Sequence, residues 1–104
     1  MKTIQQDTEK TKVIFRKWRG VQGRIIALFP EIPADVYGHL MESYEHIGQH
    51  GGADCIGITE PPRRQDADEV SALKAELESI GYNLDEKKRV TAAMNAKRRE
   101  TARR

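Results

Sequence analysis

Between Lys12 and Arg19 apolar and polar residues alternate with the period of an extended chain: Val13, Phe15 and Lys17 fall on one side, Ile14, Arg16 and Trp18 on the other. The β-branched and aromatic content favours a strand over a helix. Gly20 and Gly23 in "GVQGR" supply a turn, and "RIIALFP" is a second short apolar run ended by Pro30. Together these segments predict a β-hairpin. After the interruption from Pro30 to Pro33 the pattern fits two periods. Val36, Leu40, Tyr44 and Ile47 recur at helical spacing behind Asp35, whereas Leu40, Glu42, Tyr44 and His46 alternate with Met41, Ser43, Glu45 and Ile47 as in a strand. Gly38 inside this window would cost a helix about 1 kcal/mol. The strand is the favoured reading, over residues 39–46, with Gly48, Gly51 and Gly52 stopping it.

"CIGIT" then reads as a short fourth strand, and "EPPRRQ" as a stiff connector, because each proline restricts itself and the residue before it. The clearest element follows. In "DADEVSALKAELESIG" Val70, Leu73, Leu77 and Ile80 form one helical stripe, and Asp66 and Glu69 stand at capping-box spacing. Gly81 is placed for a left-handed helix end, with Tyr82 folding back on the last turn. "YNLDEKKRV" reads as an edge strand, to which Tyr82, Leu84 and Val90 contribute and whose charges suit an edge. The closing "TAAMNAKRRETARR" contains good helix formers but only Met94 as a large apolar residue. It is expected to be a helix formed on contact or a frayed extension, with nothing to pin it to the core. The predicted fold is α+β: a small antiparallel sheet of three to five strands with one amphipathic helix packed on one face. Residues 1–11 read as a flexible leader, 12–84 as a single domain and 85–104 as a basic tail, helical or disordered.

Composition narrows the picture. A chain of 104 residues with 38% apolar content makes one modest core. No run of eighteen apolar residues is present, and "MKTIQQDTEKTK" has no apolar stretch of the kind a secretory signal needs. A single cysteine, Cys55, rules out an internal disulfide and agrees with a reducing compartment. The expectation is a cytoplasmic protein without a membrane role. The net charge of +2 conceals an asymmetry: residues 1–86 carry ten Lys/Arg against fifteen Asp/Glu, whereas residues 87–104 carry eight basic residues against Glu100 alone.

Two groups of residues invite chemistry. The first is "SYEHIGQHGGADC", Ser43 to Cys55, which concentrates His46, His50, three glycines and the only cysteine. His46 and His50 are four apart, and Cys55, Asp54, Glu45 or His39 could complete a metal shell. Against this, "HIGQH" has Ile47 where a metalloprotease helix carries its glutamate, and no second cysteine accompanies Cys55. Nothing sets a histidine against Cys55 to make a thiolate, so burial as a small core residue is the plainer account. "GQHGG" lacks the Gly-Lys-Ser/Thr sequel of a phosphate loop, and a tight turn whose histidines bond backbone carbonyls explains it as well. No cofactor is called for, and the weak metal candidates are His46, His50 and Cys55.

The second group is the cations of the last eighteen residues: Lys87, Lys88, Arg89, Lys97, Arg98, Arg99, Arg103 and Arg104. On a helix Lys97, Arg98 and Arg104 share one broad face, for which phosphates are natural partners. No zinc-finger spacing, helix-turn-helix or aromatic RNA-binding motif accompanies them, and a charged tail that keeps the chain soluble has the same composition. "FRKWR" is a lesser basic cluster, with Trp18 read as core beside Ile14.

"VIFRKW", "IIALFPEIP", "SYEHIGQHGGAD" and "LKAELESIGYNL", in that order, resemble a group of small bacterial proteins often carried on phages and mobile elements, to which no activity is attached. The resemblance spans about residues 12–84 and draws attention to Tyr44, His46, Gln49 and His50 as a candidate polar site. The resulting expectation is a non-enzymatic accessory or regulatory protein that binds a macromolecule, nucleic acid or an acidic protein surface, with help from the basic tail. The alternative is a small metal-assisted or acid–base enzyme built on His46 and His50. A homodimer through the sheet edge, with Trp18, Phe15 and Phe29 available on a face short of partners, is a further expectation.

Overall fold

The computed structural model describes residues 10–18, 24–45, 49–53 and 59–103, with only the backbone described over 49–53. β1 (Thr11–Trp18) and β2 (Ile25–Pro33) form the antiparallel hairpin at the centre, with Phe15 opposite Ala27. β3 (Met41–Glu45) pairs with β2, and β4 (Gln49–Ala53) pairs with β3, both antiparallel. The other edge of β1 is shared. β5 (Thr59–Glu60) pairs antiparallel with Lys17 and Trp18, and β6 (Leu84–Lys87) runs parallel along Thr11 to Ile14. The sheet order is β4-β3-β2-β1, with β5 and β6 both on the far side of β1. α1 (Ala67–Ser79), entered through a 3₁₀ turn at Arg64–Asp66, and α2 (Ala92–Ala102) complete the chain.

The α+β class, with an amphipathic helix on one face of the sheet, therefore holds. The alternation in β1 divides its side chains between two cores. Val13 and Phe15 join Ile25, Ala27, Phe29, Tyr44 and Leu84 beneath Leu73 and Leu77 of α1. Ile14 joins Ile26, Leu28 and Met41 on the opposite face, where Met94 of α2 closes over them and Trp18 and Val90 pack alongside. "IIALF" is apolar throughout because β2 is buried on both faces.

Several expectations need correction. The chain after Leu84 is no detached tail: β6 extends the sheet, and α2 is pinned by Met94 and Arg98, both buried. Thr91 caps α2, its Oγ1 accepting from the Met94 N–H at 3.2 Å. Both faces of the sheet are covered, since Phe15 and Phe29 lie under α1 and Trp18 packs beside α2. Pro30 does not end β2. The strand runs on to Pro33 across a register shift between Phe29 and Pro33, a bulge that accommodates a residue without an N–H to give. β3 ends at Glu45, before the glycines, but Gly51 and Gly52 form no tight turn; they lie within β4, opposite Ser43 and Glu42. The "CIGIT" strand falls mostly outside the described residues, only Thr59 appearing, in β5.

α1 ends as its sequence predicts. Gly81 has φ +112°, the Tyr82 N–H reaches the Leu77 carbonyl at 3.1 Å, and the Gly81 N–H reaches that of Glu78 at 3.1 Å. The Tyr82 ring then stacks on Phe29, centroids 5.1 Å apart. Its start differs. Glu69 closes no capping box with Asp66 but accepts the Ile25 N–H at 3.0 Å, capping a strand instead of its own helix. Ile80, expected in the stripe, is 55% exposed, because the helix has already ended at Ser79.

If α2 is a structural cover, Met94→Ala should destabilise the domain by about 2–5 kcal/mol, the range for emptying a buried methionine site. Urea denaturation followed by circular dichroism measures this, and a change below about 0.5 kcal/mol would mean that α2 is not part of the cooperative unit.

Candidate functional site

The predicted cations do not form one surface. Met94, Arg98 and Ala102, spaced by four, make the inward stripe of α2. Arg98 is only 3% exposed. Its Nε donates to the Gly38 carbonyl at 2.8 Å and its Nη1 to the Pro30 carbonyl at 2.7 Å. The planar guanidinium spans the two acceptors as a lysine could not. Arg98 thus belongs to the fold and is not available to a phosphate. Lys97, beside it, lies 3.6 Å from Glu31, which also holds Lys12 at 3.2 Å. Arg99 and Arg103, four apart on the exposed side, stand one above the other toward solvent. Arg104 lies outside the described residues. Lys87 is at the end of β6, opposite Ile14 and 3.5 Å from Asp85 on the same face of the strand, Lys88 borders α1, and Arg89 follows in the exposed turn to α2.

The segment that Arg98 holds is the loop from Ala34 to Leu40. The loop is closed at its base by the Ala34 N–H on the Leu40 carbonyl at 2.9 Å, and internally by the Gly38 N–H on the Asp35 carbonyl at 3.2 Å. The Leu40 N–H donates to Asp35 Oδ1 at 2.9 Å, and this bond is the main reason that the Asp35 carboxyl titrates below its ordinary value. Gly38 has φ +77° and touches α2 closely: a Cβ here would stand 2.8 Å from Arg99 Cα and 3.1 Å from Ala102 Cβ. Only glycine permits both this turn and this approach.

A loop so fully bonded presents its tip in a fixed position, and that tip is apolar and aromatic. Val36 is 76% and Tyr37 71% exposed. The Tyr37 ring stacks with the exposed His39, centroids 5.8 Å apart and 26° between planes. Tyr37 and His39 flank the glycine that rests on Arg99, so an aromatic pair and an exposed arginine pair share one face of the molecule. Val36 and Tyr37 are not among the site residues the sequence suggests, Val36 entering only in the helical alternative for this stretch. The signal that was present is Asp-Val-Tyr-Gly-His between two strands, a turn whose centre carries large apolar side chains.

Among the other candidates, Tyr44 is buried in the core under α1 and donates from its hydroxyl to Glu76 Oε2 at 2.5 Å. The backbone of β4 sets His50 opposite Tyr44 and Gln49 opposite Glu45. His46, Asp54 and Cys55 lie outside the described residues. Among the described residues there is no group of three or more His, Cys, Asp or Glu able to hold a metal ion. In "FRKWR", Arg16 donates through Nε to Thr59 Oγ1 at 2.9 Å and through Nη2 to the Thr59 carbonyl at 2.8 Å. Lys17 pairs with Asp66 at 3.1 Å. Asp66 also titrates below its ordinary value, chiefly because it accepts the Arg63 N–H at 2.7 Å and then because of Lys17. No helix among the described residues is long and apolar enough to cross a membrane.

The chain matches no family model, no curated protein and no solved structure.

Two outcomes follow. Arg98→Met, which keeps the stem and removes the charged donors, should destabilise by about 3 kcal/mol or more, from two lost charge-assisted hydrogen bonds; calorimetry against the parent chain measures it. Asp35 and Asp66 have folded values below the ordinary 3.8, so their stabilisation is full above that value and is lost as pH falls through the depressed folded values. Asp35→Asn keeps an acceptor for the Leu40 N–H but cannot titrate. It should lower the melting temperature at neutral pH and flatten the acid limb, so that parent and variant converge as pH falls, and a difference that is the same at every pH would exclude Asp35 as a contributor.

Proposed function

We propose that this protein is a non-enzymatic accessory protein that binds single-stranded nucleic acid through the face formed by Tyr37, His39, Arg99 and Arg103. The observation that carries the reading is the Arg98 clamp. A buried arginine fixes an exposed aromatic loop against the helix that carries two outward arginines. Isolated exposed apolar residues are ordinary on protein surfaces. Here, however, Val36, Tyr37 and His39 sit together at the tip of a loop bonded at its base, its centre and its contact with α2.

Aromatic faces and cations are the two parts of a sequence-tolerant single-strand platform. A base stacks on the ring while arginines neutralise adjacent phosphates, and stacking contributes about 1–3 kcal/mol per base. A duplex offers its bases only at their edges, so it would meet the arginines and leave Tyr37 without a partner. The absence of a base-reading motif in the sequence accords with weak sequence preference. The same reading places the protein in the cytoplasm, where Cys55 would stay reduced.

Fluorescence anisotropy with a short labelled single strand of mixed sequence, at about 50 and 200 mM salt, tests the proposal. Tyr37→Ala should weaken binding about ten-fold and Tyr37→Phe hardly at all. The double substitution Arg99→Glu and Arg103→Glu should reduce the salt slope by about 0.7 per lost phosphate contact. Equal affinity for duplex and single strand, or a Tyr37→Ala protein that binds like the parent, would exclude this platform.

A further inference from the structure

A second surface lies on the opposite face of the sheet and arises from the way one edge of β1 is divided. β5 covers that edge at Lys17 and Trp18, and β6 covers it from Thr11 to Ile14. The chain leaves β5 through Pro61 and Pro62, which have no N–H with which to extend the ladder past Lys17. The two strands therefore do not meet, and α1 passes over the interval. What remains is a groove of about 610 Å³ between α1, the end of β6 and the proline connector.

Its floor is apolar, formed by Phe15, Pro61, Pro62 and Val70. Its rim carries cations from three elements: Arg63 from the connector, Lys74 from α1 and Lys88 from the turn after β6. The Lys87 side chain lies with Asp85 on the Ile14 face of the sheet, away from the groove. Among the described residues Glu86 is the one acidic residue in the lining. Two of these cations have carboxylate neighbours, but at 3.8 Å (Arg63 to Glu60) and 3.7 Å (Lys74 to Glu86), both with substantially exposed cations. Pairs of this kind are worth about 0–1 kcal/mol and exchange readily for a better-placed carboxylate. The prolines stiffen one wall before anything binds, which lowers the ordering cost of association.

We infer that this groove docks an acidic peptide segment: one large apolar side chain seated over Phe15 and Val70, with flanking carboxylates on Lys74, Lys88 and Arg63. Charge complementarity selects the acidic partner, and the aliphatic and proline floor selects a side-chain anchor over a nucleobase, since Phe15 offers no exposed ring face on which a base could stack. The inference is independent of the nucleic-acid reading, because the groove shares no residue with Tyr37, Arg99 or Arg103.

The test uses the full chain and a fluorescein-labelled peptide of sequence Glu-Glu-Leu-Phe-Glu-Glu. Fluorescence polarisation is measured beside two control peptides, one with lysine for glutamate and one with alanine for leucine and phenylalanine. Saturable binding of the first peptide alone is expected. The paired substitution Lys74→Glu and Lys88→Glu should weaken it at least ten-fold, and Ser71→Trp, which fills the groove from an exposed position, should abolish it. Tyr37→Ala should leave it unchanged. Because Ser71→Trp and the charge reversals alter surface positions, circular dichroism should show them folded, and amide chemical shifts in the parent chain give a readout free of substitution. Those shifts should move at Phe15, Val70, Ser71 and Glu86 to Lys88. Equal binding of either control peptide, shifts centred elsewhere, displacement of the peptide by a single-stranded oligonucleotide acting at the groove, or no saturation up to about 1 mM would each overturn the inference.

Discussion

A hairpin that is apolar on both faces cannot stand as the outer layer of anything, and this constraint organises the protein. β1 sends Val13 and Phe15 one way and Ile14 the other, and β2 buries every residue from Ile25 to Pro30. Each face must be covered, or a contiguous apolar surface meets water. α1 covers the first with Leu73 and Leu77 in the ordinary amphipathic manner. α2 has a single large apolar residue for the second, Met94. Its remaining hold is polar: the Arg98 guanidinium supplies donors to two carbonyls that would otherwise be sealed beneath the helix. Both acceptors are available because of local breaks in regular structure, Pro30 in the β2 bulge and Gly38 in a positive-φ turn.

That anchoring fixes which surfaces are left for partners. Once Met94, Arg98 and Ala102 point inward, helical geometry turns Arg99 and Arg103 outward, and the Gly38 contact brings Tyr37 and His39 beside them. The basic C-terminal region is therefore one object in sequence and two in space. Lys88 borders the groove under α1, the outward arginines lie across the sheet, and Arg98 between them in sequence is withdrawn into the core. A net charge for the segment says nothing about this division.

The elements most legible in the sequence were those whose signals are local. The alternation of β1, the stripe and glycine stop of α1, and the strand reading of residues 39–46 depend on neighbours within a few positions, and β3 occupies Met41–Glu45 accordingly. The failures are non-local. Glu69 has the spacing of a helix cap, but its carboxylate serves Ile25, forty-four positions away. Gly51 and Gly52 are poor strand formers, and only pairing with β3 holds them extended. Arg98 looked like one cation among eight because charge pattern alone does not say which face of a helix is covered. The spacing Met94, Arg98, Ala102 is the inward stripe, visible once a second apolar sheet face is recognised as needing a lid. Tyr37 was invisible as a site residue because an aromatic side chain in sequence carries no mark of exposure.

The two proposed surfaces are joined by the stretch from Lys88 to Thr91, which carries the chain from the groove side of the sheet to the α2 side. Both ends of this stretch are held. β6 is paired along Thr11 to Ile14, and Thr91 is tied to Met94 twice, by its Oγ1 accepting the Met94 N–H and its own N–H on Met94 Sδ at 3.4 Å. A connection of three or four residues between a paired strand and a capped helix has little freedom to relay movement. The groove and the Tyr37 face are then fixed relative to each other, so occupancy of one would alter the other mainly through charge, and at physiological salt that field is screened within about 8 Å. If both proposed surfaces are occupied, this geometry would hold the two partners at a set separation.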